Sequence, residues 1–533
     1  MNTGTDSFAS AAQQSPSPEL SAGRRIGVAL GLLAGLRGHD FRAAGTFMNM
    51  EFGGHWLPAR LFRFVGWTLR QMLFVIPPAL RGISFASPVS RTPLWLAEGN
   101  PLANHPWSGQ PRAALPDDVD TVVIGAGMTG ASLAYHWSKR SDPSRKLAVL
   151  EMSDPAEGAS GRHGGSVVMG RYFAMVYKNL VKYWEQTRPG WSQTDREAIA
   201  RRFADAYCTS AYRNADMIEQ TVLTEKLDCD YARNGWVQVR DADEQEWLTE
   251  SVKMAQESGR TDWTRVTPDD VKNLCGLPVK TDCGLSRRAG QFHPAKWVWS
   301  LFGVALRSPS VALFSRTKVL GVEDRGEHYL IRTSRGDIRA RHVINATEAY
   351  TQLLHRHFKC VIEARQTQLC SGVGGPQALR SHVTVSGKRW FGDRRGSNLV
   401  IGSDETRLPL DCIGQNKPSR WITKFVMGEL QRYTGPFELR ITNEWSGSVG
   451  FTPDQFPIVG LIDGKRQFII GGMCGSGTGV SFNGARCIVN RILGITDEPD
   501  DYPPEYFSPT RLLDPEHHPW PQLGEPLVAG RAM

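Results

Sequence analysis

The sequence predicts a mixed α/β (α+β) fold in which a nucleotide-binding domain is interleaved with an antiparallel-sheet domain. A strand–turn–helix–strand unit at residues 119–151 is the first observation. The second is that strand patterns return at 311–347 and at 467–470, after long intervening segments. Since strands alternating with helices favour a parallel sheet, we expect these separated pieces to form one domain. An N-terminal extension precedes it.

The first unit has the spacing of a dinucleotide-binding turn. An apolar strand, residues 119–124, leads into a Gly-x-Gly-x-x-Gly turn, a helical stretch and a second strand that ends in an acid. The glycines permit a tight turn, close approach of a pyrophosphate and close helix packing, while the acid accepts from ribose hydroxyls. This context predicts a Rossmann-like domain. The residues predicted to contact the nucleotide here are Gly125, Gly127, Met128, Thr129, Gly130 and Glu151.

Two further glycine-rich loops point to the kind of nucleotide. Residues 158–165 follow directly after the adenosine site, and this much glycine suggests a backbone that passes close to a flat ring or a phosphate. That favours FAD over NAD. Residues 471–479 open onto a helix that runs to Leu493, and a helix N-terminus is an anion site.

Composition restricts the function classes. The chain has 533 residues, 41% hydrophobic and 22% charged, with a net charge of +8. No basic run with interleaved aromatic residues is present, so we expect no nucleic-acid partner. The nine cysteines are scattered and never spaced Cys-x-x-Cys, which favours free thiols in a reducing compartment and no metal site. We therefore expect a cytoplasmic protein.

The domain boundaries follow from where the patterns change. The extension comprises 1–116, with a disordered start, a basic amphipathic segment and an extended linker laid over the main domain. The predicted nucleotide-binding parts are 117–175, 286–355 and 446–495, the second-domain parts are 176–285 and 356–445, and a Pro-rich tail covers 496–533.

The basic segment, residues 24–83, has eight arginines, no lysine and only Asp40 and Glu51 as acids. Its run from Leu57 to Leu80 reads as an amphipathic helix ended by two prolines, with arginines on one side and apolar residues opposite. It could lie peripherally at the inner face of a membrane or pack on the body of the protein. A mis-chosen start codon is a third alternative. A twin-arginine signal is disfavoured, because no Phe-Leu pair or cleavage site follows.

Four motifs, in order, make residues 119–493 resemble the D-amino-acid oxidase/glycine oxidase superfamily of FAD-dependent oxidoreductases. They lie at 123–130, at 158–165, at 345–350, and at 452–460 with 475–479. The resemblance is nearest to the branch with γ-glutamylputrescine oxidase-like and sarcosine/dimethylglycine-oxidising enzymes. It does not extend to residues 1–110.

The resemblance implies FAD as cofactor and assigns further contacts. It places Ser160, Gly161, Arg162, His163 and Gly164 beside the pyrophosphate and flavin ring, Val319 near the adenine, Ala346 at the cofactor, and Gly475, Gly477, Thr478 and Gly479 at the pyrimidine edge of the flavin.

The chain departs from the family branch at three places. His163 stands where the branch often has Asn, and in dimethylglycine dehydrogenase-like members a matching histidine is bonded to the flavin, so FAD could be covalent here. The alternative is a histidine that only hydrogen-bonds. The cysteine tether of sarcosine-oxidase-like members is replaced by Val449 and Gly450. Near Val400 their oxygen-activating lysine is missing, which leaves oxygen or a quinone or other carrier as electron acceptor.

The resemblance implies oxidation of an amine or amino acid by hydride transfer to flavin N5, followed by hydrolysis of the imine. Arg365 and Arg389 are candidates for holding a substrate carboxylate, because arginine binds carboxylates with two parallel hydrogen bonds. No residue is assigned to the catalytic step itself. Two alternatives stay open at this point: a membrane-associated flavin dehydrogenase of a hydroxy acid or polyol that reduces quinone, and a non-catalytic flavin-binding scaffold.

Overall fold

A computed structural model describes most of the chain. The described residues are 21–36, 41, 44–45, 47–49, 52–75, 89–102, 114–168, 172–380, 382–408, 413–414, 416, 418–462 and 465–521. The predictions of a disordered start and of a helix end at Pro77-Pro78 lie outside them, as does the end of the predicted tail.

The strands lie in two large sheets and one small one. In chain order they are β1 (Asp118–Ile124), β2 (Leu147–Leu150), β3 (Ser166–Val167), β4 (Trp236–Gln238), β5 (Trp263–Val266), β6 (Cys283–Ser286), β7 (Gly290–Gln291), β8 (Val311–Phe314), β9 (Val319–Asp324), β10 (Tyr329–Thr333), β11 (Gly336–Asn345), β12 (Glu363–Gly374), β13 (Thr384–Ser386), β14 (Phe391–Arg395), β15 (Asn398–Leu408), β16 (Leu439–Phe451), β17 (Ile458–Leu461) and β18 (Gln467–Gly471).

The helices cover the sheets and form the N-terminal extension. They are α1 (Ala22–Gly35), α2 (Leu57–Arg70), α3 (Leu94–Ala97), α4 (Met128–Arg140), α5 (Phe173–Thr187), α6 (Gln193–Glu225), α7 (Gln245–Glu257), α8 (Pro268–Cys275), α9 (Pro294–Ala305), α10 (Thr351–Leu354), α11 (Arg420–Thr434), α12 (Ser481–Leu493), α13 (Pro504–Phe507) and α14 (Thr510–Leu513). A π-helical turn, Gln71–Val75, follows α2.

The first sheet is the Rossmann-like sheet that the sequence predicts. Its strand order is β17-β18-β11-β1-β2-β8, with β10 and β9 joined at the side of β11. The pairs β1–β2, β1–β11, β2–β8 and β11–β18 are parallel. The carboxyl ends of these strands therefore meet at one edge, where ligands of such sheets bind. Helices α4, α9 and α12 pack together beside this sheet.

The second sheet belongs to the interleaved domain. Its order is β16-β12-β15-β14-β13-β4-β6-β5, and every neighbouring pair is antiparallel except β13–β4, which is parallel. Strand β16 continues past residue 445, where we had set the domain boundary, and ends at Phe451. The long strands β12 and β16 therefore carry this sheet up to the edge of the first.

Residues 89–102 form a strap from the extension to the body. The backbone of Ser90 makes two hydrogen bonds to strand β16. Its N–H donates to the Thr442 carbonyl at 2.8 Å, and its carbonyl accepts from the Glu444 N–H at 2.9 Å. Asn443 then donates from its side chain to the Thr92 carbonyl at 3.0 Å. The strap brings α3 and the buried Trp95 onto the nucleotide-binding side. Among the described residues, no helix combines the length and the apolar character needed to cross a bilayer.

Candidate functional site

The glycine turn after β1 is shaped for close approach. Gly125 has φ +108°, a conformation that favours glycine, and a Cβ there would lie 2.6 Å from the Ala346 carbonyl oxygen. A Cβ on Gly127 would lie 2.7 Å from Ser160 Oγ. Side chains at these positions would therefore displace the two loops that face the turn.

The start of α4 is held by a residue from the next glycine-rich loop. Met128 N–H donates to Ser160 Oγ at 2.7 Å, while the N-cap residue Gly127 supplies no side-chain cap of its own. Thr129, in the first turn, lines the same cavity as Ser160. The resemblance placed Ser160 beside the cofactor but did not predict this bond, which ties the two loops together.

Glu151 directly follows β2 and lies beside the glycine turn. Its carboxylate accepts from the N–H groups of Ala126 (2.7 Å) and Ser153 (2.8 Å). Desolvation raises its pKa above the usual glutamate value, against the lowering effect of these two bonds. The carboxylate thus fixes the turn, and it also faces the cavity in which a ribose would lie.

Two tryptophans hold the loop 158–165 by consecutive carbonyls. Trp445 of β16 donates from its indole N–H to the Arg162 carbonyl at 2.8 Å. Trp95 of the strap donates to the His163 carbonyl at 2.8 Å. Gly161 is packed so closely that a Cβ would lie 2.8 Å from Leu96. The strap therefore positions a loop that the resemblance assigns to the flavin.

The His163 ring has one satisfied and one unsatisfied nitrogen. Nδ1 accepts from the Gly165 N–H at 3.1 Å, whereas Nε2 is buried and has no hydrogen-bond partner among the described residues. Burial, followed by the positive charge of Arg395, lowers the pKa of His163 to about 4. The ring is therefore neutral at pH 7, with its proton on Nε2.

The loop 471–479 and helix α12 are fixed by a residue of the long helix α6. Asn214 accepts from the N–H groups of Phe482 (3.1 Å) and Asn483 (2.9 Å), and it donates to the Thr478 carbonyl at 2.7 Å. Part of the helix end expected to face the cofactor is thus taken by Asn214. No sequence pattern predicts this contact, which joins residues 264 positions apart.

Glu348 is a second residue whose role the sequence did not reveal. It has φ +47°, and its buried carboxyl accepts from Gly450 N–H (2.8 Å) and from Met473 N–H (3.2 Å). Burial raises its pKa to about 7. A non-glycine residue in this left-handed conformation is uncommon, and such strain concentrates at functional sites. Glu348 joins the end of β11, the end of β16 and the loop 471–479.

These loops enclose a cavity of about 2590 Å³. The predicted cofactor residues on its wall are Gly125, Gly127, Met128, Thr129, Glu151, Ser160, Arg162, His163, Gly164, Val319, Ala346, Gly475, Gly477 and Thr478. The other three, Gly130, Gly161 and Gly479, are buried. The structure thus brings together residues as far apart in the chain as Gly125 and Thr478.

Both candidate arginines lie on the wall of the same cavity. Arg365 of β12 donates to Glu363 at 2.8 Å and lies 4.7 Å from the centre of the Phe451 ring. Arg389 is exposed in the connection between β13 and β14. Arg365 is thus paired with the Glu363 carboxylate, whereas Arg389 is exposed on the same cavity wall.

The site residues fit the dinucleotide that the sequence predicts. The close packing of Ala346 and Ser160 leaves no room for side chains at Gly125 and Gly127, and glycine in such a turn lets a pyrophosphate approach the backbone. The start of α4 lines the same cavity, as do Glu151 and His163, whose buried Nε2 has no hydrogen-bond partner among the described residues.

Comparisons with known proteins agree with this geometry. The chain is 22% identical over 389 residues to a probable oxidoreductase, OrdL, of Haemophilus influenzae, which covers 71% of this chain and 84% of the relative. It is 20% identical to the γ-glutamylputrescine oxidoreductase of Escherichia coli, over 72% of this chain and 85% of that one.

The fold also matches solved structures. Glycine oxidase from Geobacillus kaustophilus superimposes with a TM-score of 0.60 at 16% identity, covering 74% of this chain and 99% of that one. A family model described as FAD dependent oxidoreductase matches residues 120–491. The chain therefore belongs to the DAO family of FAD-dependent oxidoreductases, and FAD is its cofactor.

Proposed function

We propose that this enzyme oxidises the C–N bond of an amine or amino acid, with hydride transfer to N5 of the flavin. One observation carries the proposal: a single cavity is lined by the FAD residues, by Arg365 on β12 of the second sheet and by Arg389 in the connection between β13 and β14. The similarity to a γ-glutamylputrescine oxidoreductase and a glycine oxidase supports an amine or amino-acid substrate. FAD, when bound, accepts the hydride.

The protein contributes position and electrostatics to this reaction. The lone pair of a neutral substrate amine can expel the hydride, so a strong protein base is not needed. The resulting imine then hydrolyses to a carbonyl compound and an amine or ammonia. Tyr172 and Tyr350 lie on the cavity wall, and burial raises the pKa of Tyr350, which keeps its hydroxyl protonated as a hydrogen-bond donor.

Arg365 or Arg389 would hold a substrate carboxylate. Losing a charged hydrogen bond costs about 1.5–3 kcal/mol, so Arg365→Met or Arg389→Met should raise KM about tenfold to a hundredfold if that residue binds the carboxylate. Arg332→Met is a matched control, because Arg332 lies on β10 and pairs with Glu323 at 2.7 Å. Equal KM values for all three variants and the wild type would show that neither Arg365 nor Arg389 binds a substrate carboxylate.

We further propose His163 Nε2 as a covalent anchor of FAD. Nδ1 is occupied by the Gly165 N–H, and the neutral ring carries its exchangeable proton on the unpaired Nε2. Bond formation would replace Nε2–H by Nε2–C at the flavin 8-methyl carbon. Two protons and two electrons are released, and the electrons pass to the electron acceptor of the enzyme.

Acid precipitation separates the two roles of His163. Yellow colour in the washed pellet of the wild type, and in the supernatant of His163→Ala, would support the covalent bond. Colour in the wild-type supernatant would leave His163 as a hydrogen-bonding residue only. The electron acceptor is a separate question: it is oxygen, a quinone or another carrier. Comparing the rates at which oxygen and a soluble quinone reoxidise the reduced flavin answers it.

The function is tested by anaerobic bleaching of the flavin absorption band. We expect bleaching by members of a panel of amines and amino acids. Bleaching by hydroxy acids or polyols alone would instead support a dehydrogenase of those compounds, and no bleaching by any compound would support a scaffold without turnover.

We place the reaction in the cytoplasm, because the eight cysteines among the described residues are free thiols.

A further inference from the structure

Helix α2 points its apolar face away from the protein. The side chains of Leu61, Val65 and Leu69 are 44%, 52% and 53% exposed, and Phe62 is 82% exposed. These residues form one stripe, about 18 Å long together with Leu57. Helices on soluble proteins normally turn such a face toward the core, and a contiguous exposed apolar patch marks an interaction site.

The opposite face of α2 is committed to the protein. Phe64 and Trp67 belong to an aromatic cluster on the cavity wall, in which the Phe47 and Trp67 rings lie 4.7 Å apart. Arg60 donates to Asn49 Oδ1 at 2.8 Å and to the Gly53 carbonyl at 3.0 Å. These contacts hold the opposite face of α2 against Phe47, Asn49 and Gly53 of the extension. We call the stripe Leu57, Leu61, Phe62, Val65 and Leu69 the outer face.

Helix α1 adds to the same exposed region of the extension. Ile26 and Leu30 are 51% and 60% exposed. The guanidinium of Arg25 lies 5.3 Å from the centre of the Phe74 ring, in the turn after α2, and 5.9 Å from the Trp421 ring of α11. Arg25 thus ties the two helices to the body of the enzyme.

The net positive charge of the extension selects the partner of the outer face. Arg63 and Arg70 are exposed on α2, and residues 24–83 contain eight arginines against two acids. A second copy of the chain would bring like charges together. Anionic lipid headgroups would instead complement the arginines, with the apolar side chains buried below them. Trp56, 75% exposed at the start of α2, is a residue type enriched at membrane–water interfaces.

We propose that the outer face of α2 docks this protein on an anionic lipid bilayer. The helix would lie in the plane of the headgroups, with Phe62 and Val65 inserted. Phe64 and Trp67 on the other face line the cavity, so docking holds this side of the cavity about one helix diameter, roughly 10 Å, from the lipid. The docking is independent of the proposed function.

Flotation of the purified full-length protein with vesicles tests the docking. Vesicles of phosphatidylcholine alone are compared with vesicles that contain phosphatidylglycerol. Phe62→Asp should weaken binding by at least about tenfold, from the lost apolar burial and the added charge. The matched control is Leu223→Asp, because Leu223 is 70% exposed on α6 and outside the extension. The double variant Arg63→Gln/Arg70→Gln should bind phosphatidylglycerol vesicles roughly thirtyfold more weakly.

Three outcomes would overturn the proposal. They are equal flotation of Phe62→Asp and Leu223→Asp, equal binding to both kinds of vesicle, and a wild-type dimer that Phe62→Asp dissociates without any vesicle binding. The flavin content and amine-dependent bleaching of the same samples, measured without vesicles, report separately on the proposed function. Bleaching that fails while flotation succeeds would refute the function and leave the docking intact.

Discussion

Glu348 predicts a specific dependence of stability on pH. Its pKa is raised by burial to about 7, from the ordinary 4.5 of a glutamate. The folded protein therefore holds this proton more tightly than the unfolded chain does. The contribution to stability is fully present below pH 4.5 and is lost as the pH rises through about 7. The shift corresponds to a loss of about 3 kcal/mol.

Glu348→Gln isolates this contribution. The amide keeps the size of the side chain and one oxygen acceptor for the Gly450 and Met473 N–H groups, but it does not ionise. We expect the thermal midpoint of the variant, relative to the wild type, to rise by about 3 °C between pH 5 and pH 8 for a folded body of about 400 residues, because about 2.5 kcal/mol of the loss falls within that range. Differential scanning calorimetry measures both midpoints at each pH.

Glu246→Gln is the control, because Glu246 is exposed on α7 and far along the chain from the segments that Glu348 joins. A difference between Glu348→Gln and the wild type that is constant from pH 5 to pH 8 would refute the reasoning. It would mean that the backbone N–H groups around Glu348 stabilise the carboxylate enough to offset its burial.

Two more substitutions test the cofactor site. Gly125→Ala should abolish FAD retention, measured as the flavin-to-protein absorbance ratio, because of the positive φ and the clash with a carbonyl. Gly303→Ala, on α9 and away from the cavity wall, meets no atom within 4 Å and should retain FAD. Trp95→Phe removes the hydrogen bond to the His163 carbonyl and should weaken FAD binding about fivefold, for a bond worth about 1 kcal/mol, in a titration of FAD into apoprotein. Trp137→Phe is its control, since the buried Trp137 indole N–H has no hydrogen-bond partner among the described residues; equal FAD affinity of both variants would contradict a role for the strap.

The sequence predicted the parts of the fold in which neighbouring residues carry the signal. Strand β1, the glycine turn and the end of β2 at Glu151 lie where we expected them, and α12 ends at Leu493 as predicted. In these segments a strand pattern, a glycine spacing and a helix follow one another within about 30 residues, so that local chemistry determines the structure.

The missed contacts join distant parts of the chain. Asn214 and Thr478 are 264 positions apart, and Trp95 and His163 are 68 apart. No local sequence pattern predicts either contact, because a single asparagine or tryptophan occurs in many structural environments. Helix α11 was also missed, because residues 356–445 were assigned to an antiparallel-sheet domain with no helix predicted there.

The arrangement of α2 shows a limit of another kind. The helical pattern separated arginines from apolar residues correctly, but it does not tell which side faces the protein. The structure turns Phe64 and Trp67 inward and leaves Leu61 and Val65 outside. The packing of Phe64 and Trp67 with Phe47 determines which face of α2 points outward.

A single-turnover experiment tests the central claim most directly. Purified enzyme is mixed without oxygen with an amine or amino acid that bleaches its flavin, and the carbonyl product and the released amine or ammonia are quantified. C–N oxidation predicts one equivalent of each per flavin reduced. Bleaching without a released nitrogen compound, or with a carbonyl product formed only from hydroxy acids, would contradict it.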